Sequence, residues 1–442
     1  RVQREGGVVV TTGQQPGLFG GPIYTWSKAV SAIAVADAIQ AAIGVPTAPV
    51  FWAATDDADF AEASSTVVAR SGGVDMLRAS LEPPLGTPMA LAPLGDLGIA
   101  LRRLYDASGS AADPRAIEAT VDAYGSPDRS VGDAFVRLLR ALLQPLGMAV
   151  LDASHDVVAA ASEETLRRAL RGAAPIERSL AQRAKEIRSL GHVPQVEDVP
   201  GLSLVFARQG ASKRRLRVGE EEPVGQPLTP NVLLRPIVER DILPTLAYVA
   251  GPGELAYFAQ VGAVAETLAV DPPLAVPRWS CTLIEPHVEA LMQRLDVGMS
   301  DLAIPDAVEG RLARRAMTPA SVATLRRLRE AIASVPEELR GESERTGLAR
   351  AVEGAAHSLY HRVDRLERRL LAGIKRQESA LMIDVATLRA ALFPRGVRQE
   401  RLLNAIPILT RQGLELLDEM REVARLHAMM LVERRQAVPF EV

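Results

Sequence analysis

A single cysteine, Cys281, stands among 442 residues. It excludes a disulfide framework within the chain and fits a reducing, cytoplasmic setting. Its neighbours Trp279, Ser280, Thr282 and Leu283 offer no base, so it reads as a structural thiol and not a nucleophile. Aromatic residues are scarce, at 4%. The core must therefore be built from Ala, Leu, Val and Ile, and apolar residues at 48% supply enough of them. No charge of one sign dominates: 51 Lys+Arg stand against 54 Asp+Glu, a net charge of −3. Neither nucleic acid nor an anionic membrane surface is expected as a partner. No apolar run reaches the length of a membrane-spanning helix, and no secretion signal is read at the start. The chain opens at Arg1 and enters a strand almost at once, so a preceding piece is expected.

The order of elements argues for an α/β fold. Gly7–Thr12 is a β-branched strand, Gly13–Pro22 a glycine-rich turn, Tyr24–Ile43 an Ala-rich helix ended by Gly44, and Pro46–Ala54 a second strand. Such a βαβ unit implies a parallel, doubly wound sheet. Further strands are read at 148–152, 245–250 and 274–280, with a hairpin over 202–218. Residues 73–128 read as a looser insertion, and a second insertion covers about 200–220. The core is placed at 1–300.

The last part, 301–442, is expected to be a helical coiled coil. Apolar residues recur from Val352 to Ile374, break at Phe393–Gly396, and resume from Leu402 to Val423. Heptad spacing on both sides of a turn predicts a long antiparallel hairpin. Its spare apolar surface points to a homodimer.

Two glycine turns lie at the carboxyl ends of strands, where ligands bind in parallel sheets: Thr12–Pro22 and Gly251–Gly253. Helix N-termini there suit an anion, though neither turn is a dinucleotide or Walker motif. Thr12, Gly13, Gln14, Gln15, Gly21, Pro22, Tyr24 and Lys28 are the candidates at the first. Gly251, Gly253 and Glu254 are those at the second. The stretch 51–62 brings Trp52 and the acids Asp56, Asp57, Asp59 and Glu62 to a strand end. Asp56, Asp57 and Asp59 are candidates for holding an amine or Mg²⁺ or for base chemistry, with a helix cap as the plainer reading. Arg235 and Arg278 are candidates for gripping carboxylates. The scattered histidines argue against zinc.

The segments TTGQQPGLFGGPIYTWSKA (11–29), PVFWAATDDADFAE (49–62), TPNVLLRPIVERDILPTLAYVAGPGELAYFAQ (229–260) and VPRWSCTLIEP (276–286) resemble the bacillithiol-biosynthesis enzymes that add cysteine, the cysteine ligase family. KRQES and LFPRGVRQERLLN, within 375–404, fit its helical region. The resemblance implies a Rossmann-like core related to class I nucleotidyltransferases, connecting insertions and a dimerising coiled coil. It implies an amide bond between cysteine and the amine of glucosaminyl-malate, with ATP activating the carboxylate and ADP or Mg²⁺ in attendance. Where the family reads E-D-H-D, this chain has Asp56, Asp57, Ala58 and Asp59, and Ser64 and Ser65 replace an Asn-His pair. The alternative is thus a dimeric ligand-binding or scaffolding relative that has lost catalysis.

Overall fold

The computed structural model describes residues 1–433 apart from Leu81, Ala111 and Asp198. Two compact units are present. One holds Arg1–Val68, Asp75–Cys281 and the chain from Glu400 on; the other holds Ala69–Val74 and Thr282–Gln399.

The first unit is built on five parallel strands. They are β1 (Val8–Gln14), β2 (Thr47–Ala53), β3 (Ala149–Asp152), β4 (Thr245–Ala250) and β5 (Leu274–Pro277), in the order β5-β4-β1-β2-β3. β1 pairs with β2 in register from Val8 opposite Thr47 to Gln14 opposite Ala53. Val9 and Val10 on β1 and Tyr248, Val249 and Ala250 on β4 are buried, as expected for central strands covered on both faces. Helix α1 (Ile23–Ile43) joins β1 to β2 and ends at Gly44, whose φ of 69° is left-handed. Helices α2 (Arg235–Ile242) and α3 (Pro252–Leu268) flank β4. The expected hairpin is found at Leu202–Gln209 and Ser212–Arg217, and Leu228–Pro230 adds a third antiparallel strand.

The 73–128 segment is firmer than its composition suggests. It carries helices at Gly98–Ser108 and Arg115–Tyr124, with Leu104, Ile117 and Tyr124 buried. The Tyr124 hydroxyl donates to the Gly17 carbonyl at 3.1 Å, and its ring meets Phe19 edge-on at 5.1 Å. The segment therefore braces the first glycine turn. Gly20 in that turn has φ 83°, and a Cβ there would lie 2.8 Å from the Trp26 ring. Only glycine fits both demands.

The second unit is helical. Val288, Leu295, Leu302, Leu312, Val385 and Leu388 belong to one buried cluster. Helix α4 (Pro319–Glu338) packs against helix α5 (Ala349–Gln377), burying Leu325, Val363 and Leu371. Leu359, Leu366 and Leu370 of α5 stay exposed.

The hairpin expected between 348–374 and 402–423 does not form. Helix α6 (Glu415–Val432) packs on α1 within the first unit, burying Met420 of the expected seam but leaving Val423 exposed. The reason lies in α1, whose Ala29, Val30, Ala32, Ile33 and Ala36 are apolar on nearly every side and require cover. Leu417, Met420, Ala424 and Ala428 of α6 provide it. The seam of α5 is closed by α4 instead. The expected boundary at 300/301 thus moves to Thr282, and the chain leaves the helical unit again at Gln399. The end of the expected coiled coil, 434–442, lies outside the described residues. Among the described residues no helix is long and apolar enough to cross a membrane.

Candidate functional site

A polar cavity of about 430 Å³ opens at the carboxyl ends of β1 and β4. Gly13, Gln14 and Gln15 reach it from β1, Gly251, Gly253 and Glu254 from the β4–α3 turn, and Lys28 from α1. Lys28 is buried. Its Nζ donates to Gly13 O at 2.5 Å and Gln14 Oε1 at 3.1 Å, and lies 2.6 Å from Glu254 Oε2. Three acceptors match the three protons of an ammonium group. Burial pushes the Lys28 ammonium below its ordinary pKa, against the pull of Glu254. Burial would raise Glu254, but Lys28 and Arg235 outweigh it and hold the carboxyl below its ordinary value. The two form a charged pair.

Arg235 extends the network. Its Nη2 donates to Tyr248 OH at 2.8 Å and Tyr257 OH at 3.2 Å, and Tyr248 OH donates to Glu254 Oε1 at 2.7 Å. On its other side Arg235 Nε lies 3.3 Å from Glu239 Oε1. Burial pushes the Tyr257 hydroxyl up to about 12. Arg278 forks onto Glu400 with two contacts of 2.7 Å and also reaches Ser27 Oγ at 3.1 Å. Both arginines line the cavity as expected. The Arg278 guanidinium is taken up by Glu400, Ser27, Ser280 and the Trp279 carbonyl, whereas Arg235 is held through Nη2 by the two tyrosine hydroxyls, with Glu239 and Glu254 nearby. Arg401, beside Glu400, is different: it is exposed on the wall and makes no ion pair or hydrogen bond among the described residues.

One N–H at each helix start is engaged within the protein. Ile23 N–H of α1 donates to Leu403 O at 2.9 Å, and Gly251 N–H before α3 donates to Glu254 Oε2 at 2.8 Å. At each glycine turn a protein oxygen thus already takes one of the N–H groups expected to meet an anion. Gly21 and Pro22 line an adjoining cavity of about 220 Å³. Their turn is held by Asn404, whose Nδ2 lies within 3.0–3.3 Å of the carbonyls of Leu18, Phe19 and Gly21. Phe19 sits at a left-handed φ of 52°, and Asn404 is what keeps it there.

The two cavities share Gln14, Gln15, Tyr24, Glu62 and Arg401. Gln14 Nε2 donates to Tyr24 OH at 3.2 Å, and Gln15 Nε2 donates to Glu62 Oε2. Partial burial of its carboxyl raises the pKa of Glu62, with Asp59 and Asp57 adding to it, while a hydrogen bond from Tyr24 works the other way.

Other candidates fall elsewhere. Thr12 is buried and donates to Val249 O at 2.8 Å, tying β1 to β4. Trp52 and Asp56 line a separate cavity of about 70 Å³ with Lys213. Asp57 accepts the Asp59 N–H at 3.0 Å, and Asp59 is exposed. Asp56, Asp57 and Asp59, unlike Glu62, do not line the main cavity; the carbonyls of Thr55, Asp56 and Asp57 are taken by Ala90 N–H, Lys213 Nζ and Met89 N–H, which fixes their turn. Ala58, the departure from the family run, lines neither large cavity. Among the described residues no three His, Cys, Asp or Glu side chains are grouped to hold a metal. One histidine pair does share a helical face: His357 and His361 are one turn apart, with Nε2 atoms 2.8 Å from each other. Burial, with the nearby Glu400, pushes the Cys281 thiol up to about 12, which keeps it protonated at neutral pH.

Reasoning from the sequence missed Arg401, Glu400, Tyr248, Tyr257 and Glu239. Glu239 is fully buried, and burial pushes its carboxyl up to about 7 despite Arg235. The folded protein thus keeps a proton that the unfolded chain releases near 4.5. Stability from this group is fully present below about pH 4.5 and is lost as pH rises towards 7, by up to about 3 kcal/mol at 1.36 kcal/mol per unit. Urea unfolding at pH 5.0 and 7.5 checks this. Glu239→Gln should remove most of the difference; an unchanged slope would place the titration elsewhere.

Comparison with known proteins divides the chain near residue 280 and counts 400–430 with the helical part. Residues 1–224 and 216–279 match the family model described as the N-terminal Rossmann-like domain of bacillithiol biosynthesis BshC. Residues 281–430 match that of its C-terminal coiled-coil domain. A Solibacter usitatus protein named "Putative cysteine ligase BshC" is 31% identical over 94% of this chain and 82% of its own length. The protein of the same name from Koribacter versatilis is 30% identical over 95% and 82%. That from Salinibacter ruber is 26% identical over 95% and 81%.

Proposed function

We propose that this chain, which belongs to the BshC family of bacillithiol biosynthesis, joins the carboxyl group of cysteine to the amine of glucosaminyl-malate in an amide bond. The observation that carries this reading is the polar double cavity at the carboxyl edge of the sheet. It combines an uncommitted cation, Arg401, with a carboxylate, Glu62, at the wall the two spaces share. An amine-bearing dicarboxylate and an amino acid both need such opposite charges.

Amide formation from a carboxylate is uphill in water, so the carboxyl must first be activated, and ATP is the reagent that fits. Mg²⁺ would then arrive with the nucleotide phosphates, as this ion commonly does. The donor set fits an anionic group at Arg401, because Lys28, Arg235 and Arg278 are paired internally. Lys28 holds the carboxamide of Gln14, which in turn holds the Tyr24 hydroxyl. The buried ion pairs thus serve to orient the polar wall.

The test is incubation with glucosaminyl-malate, cysteine, ATP and Mg²⁺, followed by mass spectrometry. The expected product is one molecule of each substrate joined with loss of water, and only when ATP is present. No product from folded protein would favour the binding or scaffolding reading, to which Ala58 in the acidic run points.

A further inference from the structure

The two cavities differ in size and in what divides them. The larger, about 430 Å³, has the paired charges Lys28, Glu254, Arg235 and Arg278 in its wall; the smaller, about 220 Å³, is lined by the first glycine turn and by Met76. Between them stands Tyr24, with Glu62 and Arg401 reaching into both. These two charges are the ones on the wall that no internal ion pair among the described residues consumes. Glu62 does accept from Gln15 and Tyr24. A carboxylate has about four lone-pair sites, so room remains for an ammonium group.

We propose that the smaller cavity is the seat of a free α-amino acid, with Glu62 holding its ammonium group, Arg401 its carboxylate, and Met76 flanking its side chain. The assignment rests on the ligase reading for the identity of that amino acid, cysteine. Its geometry stands independently: a small cavity with one carboxylate outside any ion pair, one unpaired guanidinium and one thioether fits a small zwitterion with a soft side chain. Arg401 also faces the larger cavity, so a carboxyl group held by it lies at the junction of the two spaces. There it is within reach of a second substrate. The division by size follows, the larger cavity taking the sugar-malate and the smaller the amino acid.

The roles separate by ligand. Calorimetric titration of the wild type, Glu62→Gln and Arg401→Gln with L-cysteine, 3-mercaptopropionate (no ammonium) and cysteamine (no carboxylate) tests them, with and without a non-hydrolysable ATP analogue. Wild type should prefer cysteine to either fragment. Glu62→Gln should weaken cysteine about 10-fold or more and leave 3-mercaptopropionate unchanged. Arg401→Gln should weaken cysteine and 3-mercaptopropionate alike and spare cysteamine. Circular dichroism establishes that both variants are folded, as exposed positions predict. Cysteine binding equally to all three proteins, or not at all to the wild type in either condition, would overturn the seat.

The outcome separates from that of the ligase reading. If the variants behave as expected but wild type makes no thiol product, the amino-acid seat stands and the ligase assignment falls. If wild type makes product and both variants keep its KM for cysteine, the ligase assignment stands and the seat falls.

Discussion

Lys28→Met is expected to lower stability by about 3–5 kcal/mol and to abolish product formation. The methionine replaces the aliphatic stem well, so packing is not the main loss. What remains is the Glu254 carboxylate, 2.6 Å from the missing ammonium, with only Arg235 at 3.8 Å to balance it. Gly13 O and Gln14 Oε1 also lose their donor. Gln14 is then free to turn, and the Tyr24 hydroxyl loses its fixed partner. Urea unfolding and the mass-spectrometric assay check the two parts separately. The double variant Lys28→Met/Glu254→Gln should recover much of the stability and none of the activity, because it removes the unbalanced charge but not the lost orientation. Full activity in the single variant would mean that the pair stands apart from the chemistry.

Glu400→Leu should cost a similar amount, about 3–5 kcal/mol, through a different route. It leaves the Arg278 guanidinium, 4% exposed, without its forked partner. Arg278 bridges to Ser27 on α1 and to the backbone of Trp279, so the disturbance reaches both β5 and α1. Arg278→Leu should cost about as much. The Arg278→Leu/Glu400→Leu pair should cost clearly less than the sum, giving a coupling of about 2 kcal/mol or more. Strict additivity would show that the fork contributes no more than its surroundings.

Much of the fold was legible in the residues because the parallel sheet announces itself. β1, β2 and β4 are short, continuous apolar runs, and each is followed by a glycine turn or an acidic run. The order of strands and the partner of the last helix were not legible. Heptad spacing records that a helix has an apolar seam; it does not record what fills that seam. α6 has the right spacing for α5 and packs on α1, because α1 is the surface left uncovered. The site was half legible for a related reason. Gln14, Gln15, Tyr24, Lys28 and Glu254 sit at strand ends or first helical turns, positions that sequence can place. Glu400, Arg401 and Asn404 come from far along the chain, in a short broken helical stretch where charges read as a solvated surface. Buried ion pairs there leave no local signature. The acidic run 56–59 shows the opposite case. Its composition suggests a site, while of its acids only Asp56 lines a cavity, the small one beside Trp52.

The return of the chain at Glu400 sets a timetable for biosynthesis. The strand that opens the sheet is made first, yet the helix that follows it is covered only by residues beyond 414. At about 5–20 residues per second a ribosome takes on the order of twenty seconds to a minute or more to travel from one to the other. Throughout that interval α1 offers its apolar face to the surrounding solution. A message cut short before residue 415 would yield a product whose sheet is complete in sequence and whose first helix remains bare.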